Sequence, residues 1–389
     1  MKTILVYCWD SVCEPMAMQA MKELGYQVLT FSGKMKDYHA DAAFAQKFIA
    51  LLHSQKVDMV FSYDYFPMIS MICQMNGIAY ASWIYDCPQY TLLSKTITND
   101  CNSIFCFDEV YTARLQESGA ENVYHFPLAA DIRMYEEAKQ QEESGYNCDI
   151  SFVGSLYNDE KNRIRGAEFS EYTTGYVEGL IRAQSRIYGY NLVADSLPEQ
   201  VVEEIVDRCG LSLGDLYTFD SCQMAADVIN MEVTARDRQD VLGSLAQYFD
   251  VILYSNSKLP QELQNNPHLI SKGTVDYRTQ MPLVFHNSRI NLNISSRTIE
   301  SGVPQRVFDI LACGGFCLTN YQKEIADLFE DGRELVMYTS IEDMLQKAEY
   351  YLMHEEERKQ IAEAGYGKVK QFFDIKIRMR ELVESVLGE

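Results

Sequence analysis

The chain has 389 residues, of which 47% are apolar and 23% are charged, a composition typical of a globular protein and not of a disordered one. Its 34 basic and 56 acidic residues give a net charge of −22, which would repel nucleic acid and anionic membranes and argues against nonspecific binding to nucleic acid. The length is sufficient for two domains, each with a core of its own.

Cysteine usage and the N-terminus indicate a cytoplasmic protein. Eleven cysteines are present, none in a Cys-x-x-Cys pair, and most lie in apolar runs where a thiol behaves as a small hydrophobe. The first apolar run ends at Trp9-Asp10, which is too short for a signal h-region. No apolar stretch approaches the roughly 20 residues that a membrane span requires. We therefore expect reduced thiols and a cytoplasmic location.

The first third of the chain alternates between short apolar runs and helical patterns. Strands are predicted at 3–8, 27–31, 57–62, 78–84, 103–107 and 123–126, and helices at 14–24, 44–55, 67–76 and 109–118. This alternation predicts a parallel, Rossmann-like α/β domain over residues 1–145. No Gly-x-Gly-x-x-Gly follows the first strand, which argues against a dinucleotide site there.

Three acids follow strands of this predicted domain. They are Asp10, Asp64 and Asp86. Ligands bind beyond the carboxyl ends of the strands in such sheets, so a carboxylate there is placed to act as general base for an acceptor hydroxyl. The alternative is an aspartate that caps a helix or holds a loop through backbone N–H groups. We favour the structural role for Asp10 and Asp64, and both alternatives stay open for Asp86.

A second domain is predicted over residues 146–374, after a charged helical linker at 134–143. Its first strand runs from Asp149 to Gly154. The strand pattern then disappears between about 166 and 231, which predicts a helical insertion. The α/β pattern resumes with a helix at 239–248, a strand at 250–255, helices at 281–288, 325–329, 341–352 and 355–372, and a final helix at 375–387.

The stretch from Arg289 to Asn320 predicts a strand, a polar loop, a helix and a second strand. Gly302 permits a sharp turn, and Pro304 has the fixed φ that suits a first helical turn. The unpaired N–H groups at such a helix start can hold a phosphate, and Arg306 adds a fork of donors. Asp309 lies about 7.5 Å further along the axis, which suits the ribose of a nucleoside diphosphate. Surface ion pairs made by Arg306 and Asp309 are equally compatible with the spacing.

The segment 251–308 is basic inside an acidic chain. Six basic residues face three acids there, a local net charge of +3. An anionic ligand would be attracted to such a segment. A chance accumulation of solubilising residues is the alternative.

Several short motifs resemble the C-terminal donor-site motif of GT-B glycosyltransferases, in particular of the CgeB-like (spore maturation protein) group. They are Glu300, Ser301-Gly302, Pro304, Arg306 to Asp309 and Ala312 to Gly315. The resemblance runs from about Asp149 to the C-terminus and, more weakly, over the first half, where Trp83 to Gln89 is similar to a Trp-x-Tyr-Asp-x-Pro segment of that group. It implies a GT-B fold, with two Rossmann-like domains facing a cleft and the final helix 375–387 packed back onto the first domain.

The resemblance also implies a site for a nucleotide diphosphate sugar in the second domain. Gly154 and a basic residue soon after it would bind the diphosphate, with Lys161, Arg163 and Arg165 as candidates. Each of these three is alternatively a solvated helix residue. Val275 or Tyr277 would contact the base. At the helix start the implied binding residues are Gly302, Val303, Pro304, Gln305, Arg306 and Asp309.

The resemblance therefore implies a glycosyltransferase that moves a sugar from a nucleotide diphosphate sugar to a hydroxyl acceptor in surface polysaccharide or protein glycan synthesis. Asp86 and Arg306 are the predicted catalytic residues, the latter because it would stabilise the leaving diphosphate. We expect no cofactor and no metal ion, since enzymes of this fold usually work without one and no Asp-x-Asp triplet is present. The expected partners are the nucleotide sugar and a glycan or protein acceptor, with no nucleic acid and no membrane span. The alternatives are a nucleotide-sugar epimerase or hydrolase and a noncatalytic GT-B-like binding protein, and the oligomeric state stays open.

Overall fold

The computed structural model describes residues 1–140, 144–218 and 220–388, so the end of the predicted linker at 141–143 lies outside the described residues. The chain divides into two compact units. Unit 1 comprises Met1–Asp131, Leu213–Phe219 and Phe372–Glu389, and unit 2 comprises Ile132–Ser212 and Asp220–Gln371. Each unit contains a hydrophobic core of its own.

Unit 1 is built on six parallel strands. They are β1 (Thr3–Tyr7), β2 (Gln27–Phe31), β3 (Met59–Tyr63), β4 (Ala79–Trp83), β5 (Asn102–Cys106) and β6 (Val123–His125). Their order in the sheet is β2-β1-β3-β4-β5-β6. β1 and β3 are buried along their whole length, as expected where helices cover both faces of a parallel sheet. The direction of winding reverses between β1 and β3, so their carboxyl ends form a topological switch point.

Four helices connect these strands. They are α1 (Glu14–Glu23), α2 (Ala42–Ser54), α3 (Pro67–Asn76) and α4 (Glu109–Glu117). Asp41 and Asp108 cap α2 and α4 by accepting hydrogen bonds from backbone N–H groups of the first turn. α3 begins on Pro67 and ends at Gly77, whose φ of 62° suits a residue without a side chain. The alternation predicted for this part of the chain is confirmed.

Unit 2 contains the second six-stranded parallel sheet. Its strands are β7 (Cys148–Val153), β8 (Val251–Tyr254), β9 (Leu269–Ser271), β10 (Ser288–Asn293), β11 (Cys317–Asn320) and β12 (Val336–Tyr338). Their order is β12-β11-β10-β7-β8-β9. The switch point of this sheet therefore lies between β7 and β10. β7 pairs in parallel with both β10 and β8, as in a Rossmann-like sheet. The predicted fold class, with two Rossmann-like α/β domains, is confirmed.

The remaining helices before the C-terminal one lie between β6 and residue 372. They are α5 (Arg133–Lys139), α6 (Glu171–Gln184), α7 (Glu199–Arg208), α8 (Ser221–Leu245), α9 (Met281–Asn287), α10 (Gln305–Ala312), α11 (Lys323–Leu328), α12 (Ile341–Met353) and α13 (Glu355–Phe372). Helices α6 and α7 lie in the region where the sequence predicted a helical insertion.

Helix α8 is longer than the sequence indicated. It runs without interruption through the predicted end of the insertion near residue 231 and through the start of the separate helix predicted at 239–248. Asp220 caps it by accepting from the backbone N–H of Gln223, and neither glycine nor proline occurs before Gly243. Polar residues such as Asn230 and Asp237 are buried together with its apolar ones, so no single apolar stripe reveals its length.

The C-terminal helix α14 (Ile375–Leu387) completes unit 1. Asp374 caps it by accepting from the backbone N–H of Lys376 at 2.9 Å. Ile375 donates its backbone N–H to the carbonyl of Ala130, which fixes the start of the helix beside the end of the first stretch of the unit. The Nζ atom of Lys376 lies 3.5 Å from a carboxylate oxygen of Glu23 in α1. The last helix of the chain therefore packs on the first.

A short segment between α7 and α8 also belongs to unit 1. Lys95 donates its backbone N–H to the carbonyl of Leu216 at 2.9 Å, and Thr218 donates to the carbonyl of Leu93 at 2.7 Å. The ring of Tyr217 meets the ring of His39 edge to face. None of the helices in 1–140, 144–218 and 220–388 combines the length and the apolar character that a membrane span needs.

Candidate functional site

The loop between β10 and α10 is buried, and hydrogen bonds to the start of α11 hold it in place. Ser301 accepts the backbone N–H of Glu324 at 3.1 Å and donates its hydroxyl to the Glu324 carboxylate at 2.6 Å. The side-chain amide of Gln322 donates to the carbonyl of Gly302 at 3.1 Å. Val303 is buried, and Pro304 is the residue that precedes the first turn of α10, with φ −68°. The loop is therefore fixed before any ligand binds.

Asp309 is buried on the inner side of α10, with only 1% of its surface exposed. Its Oδ1 accepts from the Tyr277 hydroxyl at 2.9 Å and from the Gln305 amide at 2.8 Å. Its Oδ2 lies 3.1 Å from Nη1 of Arg306, one turn back on the same helix. Burial raises the pKa of Asp309, and Arg306, Gln305 and Tyr277 act against that rise.

The structure thus brings together four predicted site residues, Tyr277, Gln305, Arg306 and Asp309. The sequence was equally compatible with surface ion pairs made by Arg306 and Asp309. The two residues do form an ion pair, but Asp309 is buried, so the pair does not lie on the surface. The carboxylate is engaged by protein donors, so a ribose hydroxyl would have to share it with Tyr277 or Gln305.

Arg306 is only partly committed to Asp309. Its Nη1 also lies 2.6 Å from the sulfur of Met281, and its guanidinium stands 5.5 Å from the centre of the Phe285 ring. The side chain remains 27% exposed. A cation oriented by a carboxylate and a ring, with one side open, is suited to an anionic ligand.

The loop after β7 contains the other predicted diphosphate residues. Gly154 donates its N–H to the carbonyl of Tyr254 at 3.0 Å. Lys161 and Arg163 are exposed, and Arg163 lies close enough to Cys209 to act on the pKa of its thiol. Arg165 forms a two-pronged contact with Glu232 of α8, at 2.6 and 3.2 Å. Both arginines are therefore turned toward the helical insertion.

Arg238 of α8 is a residue that the sequence reasoning missed. It is 8% exposed and donates from Nη1 to the carbonyl of Ser155 at 2.5 Å and from Nη2 to the carbonyl of Ile294 at 2.7 Å. Its guanidinium lies 4.8 Å from the centre of the Tyr157 ring. A Cβ added at Gly154 would meet Nη1 at 3.5 Å, so the guanidinium packs against that glycine.

This arginine connects the ends of β7 and β10, the two strands at the switch point. Burial lowers the pKa of Arg238, and the charge of Arg306 adds to that effect, whereas Tyr157 and Asp237 oppose it. Its Nε has no hydrogen-bond partner, and the groups that Nη1 and Nη2 contact are carbonyls and not carboxylates. No periodic pattern identifies this residue, because it lies in the charged run Arg236-Asp-Arg-Gln-Asp240.

Helix α8 holds the β10–α10 loop at a second point. Arg297, one of the basic residues of the segment 251–308, is buried and contacts Asp237 through Nη2 at 2.7 Å and Nε at 3.1 Å. Its backbone N–H donates to the hydroxyl of Thr234 at 2.8 Å. The local excess of positive charge is therefore partly structural.

In unit 1, Asp64 and Asp86 meet at the ends of β3 and β4. Oδ1 of Asp64 accepts from the backbone N–H groups of Tyr85 and Asp86 at 2.9 and 3.0 Å, so Asp64 holds the loop that carries Asp86. Asp64 itself is buried with a φ of 59°, and the Asp86 carboxyl reaches solvent in a concave pocket. Burial raises the pKa of both acids, and the repulsion from Asp86 adds to the rise at Asp64.

No group of three or more His, Cys, Asp or Glu side chains that could hold a metal ion occurs in residues 1–140, 144–218 and 220–388.

Residues 238–384 match a protein-family model described as glycosyl transferase-like. This stretch is therefore similar to glycosyl transferase-like domains. The matched stretch begins at Arg238, within α8, and includes β10, α10 and the pair Arg306 and Asp309. The predicted enzyme class, a glycosyltransferase, is confirmed by this match. A search of curated proteins finds no sequence of significant similarity.

Solved structures share the fold over the whole chain at low sequence identity. Anabaena Alr3699/HepE in complex with UDP and glucose matches with a TM-score of 0.61 and 10% identity, covering 100% of both chains. Sucrose-phosphate synthase from Thermosynechococcus elongatus matches with a TM-score of 0.59 and 9% identity, again over 100% of both. A putative UDP-N-acetylglucosamine 2-epimerase from Listeria monocytogenes matches with 0.51 and 8%, over 99% of this chain and 96% of that one. At such identities the likeness shows the fold alone.

Proposed function

We propose that this glycosyltransferase moves a sugar from a nucleotide diphosphate sugar to a hydroxyl acceptor, with the donor held at the switch point of unit 2. The observation that carries the proposal is the glycosyl transferase-like domain over residues 238–384, in which Arg306 stands partly open at the start of α10. HepE was solved with UDP, which supports uridine diphosphate sugars as the first donors to test.

The proposed donor site combines backbone amides with two guanidinium groups. The N–H groups at the Gly302 to Gln305 turn and the Arg306 side chain face the diphosphate, and Arg238 adds positive charge behind Gly154 and Ser155. As the bond between the sugar carbon and the phosphate oxygen breaks, negative charge grows on the diphosphate. Donors fixed in advance then stabilise the transition state more than the bound substrate.

Asp309 and Tyr277 are proposed to contact the nucleoside. The Asp309 carboxylate would accept a ribose hydroxyl in place of one of its present donors, Tyr277 or Gln305. Exchange of one donor for another keeps the buried acid satisfied, so the exchange does not leave a buried charge unpaired.

Asp86 is proposed as the general base. Its carboxylate takes the proton of the acceptor hydroxyl while the acceptor oxygen bonds to the sugar carbon and the nucleoside diphosphate leaves. Its raised pKa makes it a stronger base than an ordinary aspartate, which favours this transfer near neutral pH. The reaction balances with one proton transferred to the base and no cofactor or metal ion.

The finer assignments rest on sequence features. We propose that the chain is a member of the CgeB-like group, on the motif from Glu300 to Gly315, and that its location is cytoplasmic, on cysteines that lie in apolar runs. The acceptor is proposed to belong to surface polysaccharide or protein glycan synthesis.

The test is a donor screen followed by a transfer assay. We expect one nucleoside diphosphate to raise the melting temperature, and its sugar to be consumed only with an acceptor. Arg306→Ala should weaken binding of that nucleoside diphosphate by about 10- to 100-fold in calorimetry, since charge-assisted hydrogen bonds contribute about 1.5–3 kcal/mol. Arg333→Ala, which removes an exposed arginine of the same domain, is the matched control and should bind normally.

Two results would contradict the proposal. Consumption of the donor without acceptor would instead indicate a hydrolase or an epimerase, the activity named for the Listeria structure. Nucleotide affinity unchanged in Arg306→Ala would remove the site at α10. Arg306→Lys keeps a cation beside Asp309, so it separates loss of the guanidinium fork from a general loss of folding.

A further inference from the structure

Unit 2 contains a pocket of about 510 Å³ between α8, α6 and the short 3-10 turn at Arg163–Gly166. Its volume is in the range of small-molecule sites. The residues proposed to hold the donor and the proposed general base do not line it. The pocket has a polar end, where two arginines contact a buried glutamate, and an apolar end.

Glu232 of α8 lies at the centre of the polar end, with only 5% of its surface exposed. Its carboxylate accepts from Nε and Nη2 of Arg165 at 2.6 and 3.2 Å and from Nε of Arg236 at 2.9 Å. The side-chain amide of Asn162 donates to it at 2.8 Å. One buried carboxylate therefore orients two guanidinium groups before any ligand binds, which lowers the entropy cost of binding.

Each of these two guanidinium groups keeps one nitrogen for a ligand. Arg236 also donates from Nη1 to Glu178 of α6 at 2.7 Å. Within the part of the chain that the structure describes, no group accepts a hydrogen bond from Nη1 of Arg165 or from Nη2 of Arg236. Both side chains line the pocket and remain 35% exposed. Free guanidinium N–H groups form their strongest hydrogen bonds with phosphate and carboxylate oxygens.

The ion-pair network beside the pocket contains more arginines than acids. Glu178 accepts from Arg182 at 3.1 Å as well as from Arg236, so three guanidinium groups share the carboxylates of Glu178 and Glu232. Glu168, the other acid that lines the pocket, is exposed, so solvent screens its charge. A bound anion would therefore supply the negative charge that the network lacks.

The other end of the pocket is apolar. Ile164, Val177 and Ile181 are buried there, and Phe169 is half-buried. These side chains can cover a ring or an alkyl chain, but they offer nothing to a bare phosphate ion. The pocket therefore matches a ligand that has an anionic group and an apolar part.

We propose that this pocket binds an oxyanion that carries an apolar ring or chain, such as an aryl or alkyl phosphate or carboxylate. Its oxygens would accept from Nη1 of Arg165 and Nη2 of Arg236, and its apolar part would lie on Phe169. Arg236 and Arg238 are two residues apart on α8, which turns their side chains about 200° from each other. The pocket and the candidate donor site therefore lie on opposite faces of α8, and the proposal does not depend on the proposed function.

Calorimetry with phenyl phosphate, added without any nucleotide, tests this proposal. We expect saturable binding that is at least about 10-fold tighter than that of inorganic phosphate, because the ring buries apolar surface. Arg165→Gln should weaken this binding by about 10-fold. Its melting temperature should stay within a few degrees of the parent, since Asn162 and Arg236 still hold Glu232. Arg163→Gln, on the same turn but exposed and outside the lining, is the matched control and should bind normally.

Two further variants test the charge and the apolar end separately. Glu168→Gln removes an exposed acid from the lining, so it should strengthen phenyl phosphate binding by about 2- to 5-fold. Phe169→Ala should remove most of the preference for phenyl phosphate over inorganic phosphate. If Glu168→Gln instead weakens binding, the ligand is not held as an anion and the inference is overturned.

A lipid headgroup presents the same chemistry as a free organic phosphate. Vesicles of phosphatidylcholine with and without phosphatidate distinguish these two sources in a sedimentation assay. Sedimentation with phosphatidate vesicles that Arg165→Gln abolishes would identify a lipid ligand of the pocket. Binding of phenyl phosphate without sedimentation would identify a soluble one.

The candidate donor site is also suited to a phosphate, so Arg306→Ala separates the two sites. Phenyl phosphate binding that Arg165→Gln weakens and Arg306→Ala leaves intact supports the pocket, even if no sugar is ever transferred. Binding that is lost in Arg306→Ala and unchanged in Arg165→Gln would place the probe in the donor site. That result, or no binding at all, overturns this inference and leaves the proposed function standing.

Discussion

Arg238 illustrates how a single buried residue can affect both the stability of the protein and its affinity for a ligand. Its guanidinium is almost fully removed from water, which is unfavourable for a cation. The hydrogen bonds to the carbonyls of Ser155 and Ile294 offset only part of this desolvation free energy. A phosphate bound at the ends of β7 and β10 would offset the rest of the desolvation free energy of Arg238, because its negative charge would pair with the guanidinium. We therefore expect Arg238 to contribute both to the stability of the empty protein and to its affinity for an anion.

Replacement of Arg238 by methionine should lower both the free energy of unfolding and the affinity for the nucleoside diphosphate. Arg238→Met leaves the carbonyls of Ser155 and Ile294 without their donor, so we expect a loss of about 1–3 kcal/mol in the free energy of unfolding. The affinity for the nucleoside diphosphate should fall by at least about 10-fold. Urea titration and calorimetry measure the two effects, and Arg238→Lys should keep more of the affinity because it keeps the charge.

The matched control for this arginine is Arg182→Met on α6, whose exposed side chain forms an ion pair with Glu178. Such exposed pairs contribute little to stability. An Arg238→Met variant that folds and binds nucleotide like the parent would show that this residue has no part in the donor site.

The buried carboxyl of Asp64 should make the stability of the protein depend on pH. Burial, aided by the neighbouring Asp86, raises the pKa of Asp64 to about 7. A carboxyl that holds its proton more tightly when folded makes the folded state less stable as pH rises from the unfolded pKa of about 3.9. Asp64→Asn lacks this penalty. Its melting temperature should match the parent near pH 4 and exceed it by a growing margin up to about pH 7.

Asp41 supplies the control of opposite sign. Backbone N–H groups of Phe44 and Lys36 lower the pKa of Asp41, so this acid stabilises the fold above its unfolded pKa and loses that effect as pH falls. Asp41→Asn should therefore melt below the parent by a margin that widens as pH rises. A melting curve of Asp64→Asn that follows the parent at every pH would contradict the raised pKa.

At the scale of elements, α13 approaches the loop before β12 so closely that only glycine fits. A Cβ built at Gly365 lies 2.2 Å from the carbonyl oxygen of Glu334 and 2.7 Å from a methyl of Leu311 in α10. Leu311 lies on the helix that carries Arg306, so α13 supports the candidate donor site from behind.

Gly365→Ala should therefore be destabilising. The added methyl forces α13 away from a backbone atom, and such overpacking typically costs about 1–3 kcal/mol. Gly367→Ala on the same helix meets nothing within 4 Å and should be neutral or stabilising, by up to about 1 kcal/mol. Chemical denaturation of the two variants measures the difference, and equal stabilities would contradict the close approach.

The elements were predicted well where periodicity is clear and poorly where it is not. The alternating strands of unit 1 and the stretch from β10 to β11 follow from apolar runs and turn residues. The edge strands β9 and β12 have three residues each, too few to show a period, and were missed. Helix α8 was divided because it is buried on several sides.

The candidate site could be predicted only in its local part. Helical spacing placed Arg306 and Asp309 on the same helix, and the resemblance drew attention to Tyr277. The contact of the Tyr277 hydroxyl with Asp309 joins residues 32 positions apart in the chain, and the burial of Asp309 depends on how α10 packs. Tertiary packing of this kind leaves no trace in spacing.

At the scale of the whole molecule, the last helix stabilises the unit that begins the chain. Met379 and Leu382 of α14 are fully buried, whereas Arg380 between them is exposed. Leu382→Ala should cost about 2–5 kcal/mol in the free energy of unfolding, because it leaves a cavity under α14. Arg380→Ala is the matched control and should melt like the parent. Equal melting temperatures for both variants would show that α14 contributes no core to unit 1.

Unit 1 is assembled from three separate stretches of chain, and this affects the order of its biosynthesis. Residues 1–131 leave the ribosome first, but the segment at 213–218 and the helix 375–387 that belong to the same unit emerge much later. Domains usually fold in the order of their synthesis. Residues 1–131 must therefore wait with an uncovered apolar surface until residues 375–387 have been synthesised, so a chain cut short before that helix would have an incomplete unit 1 that is prone to aggregate.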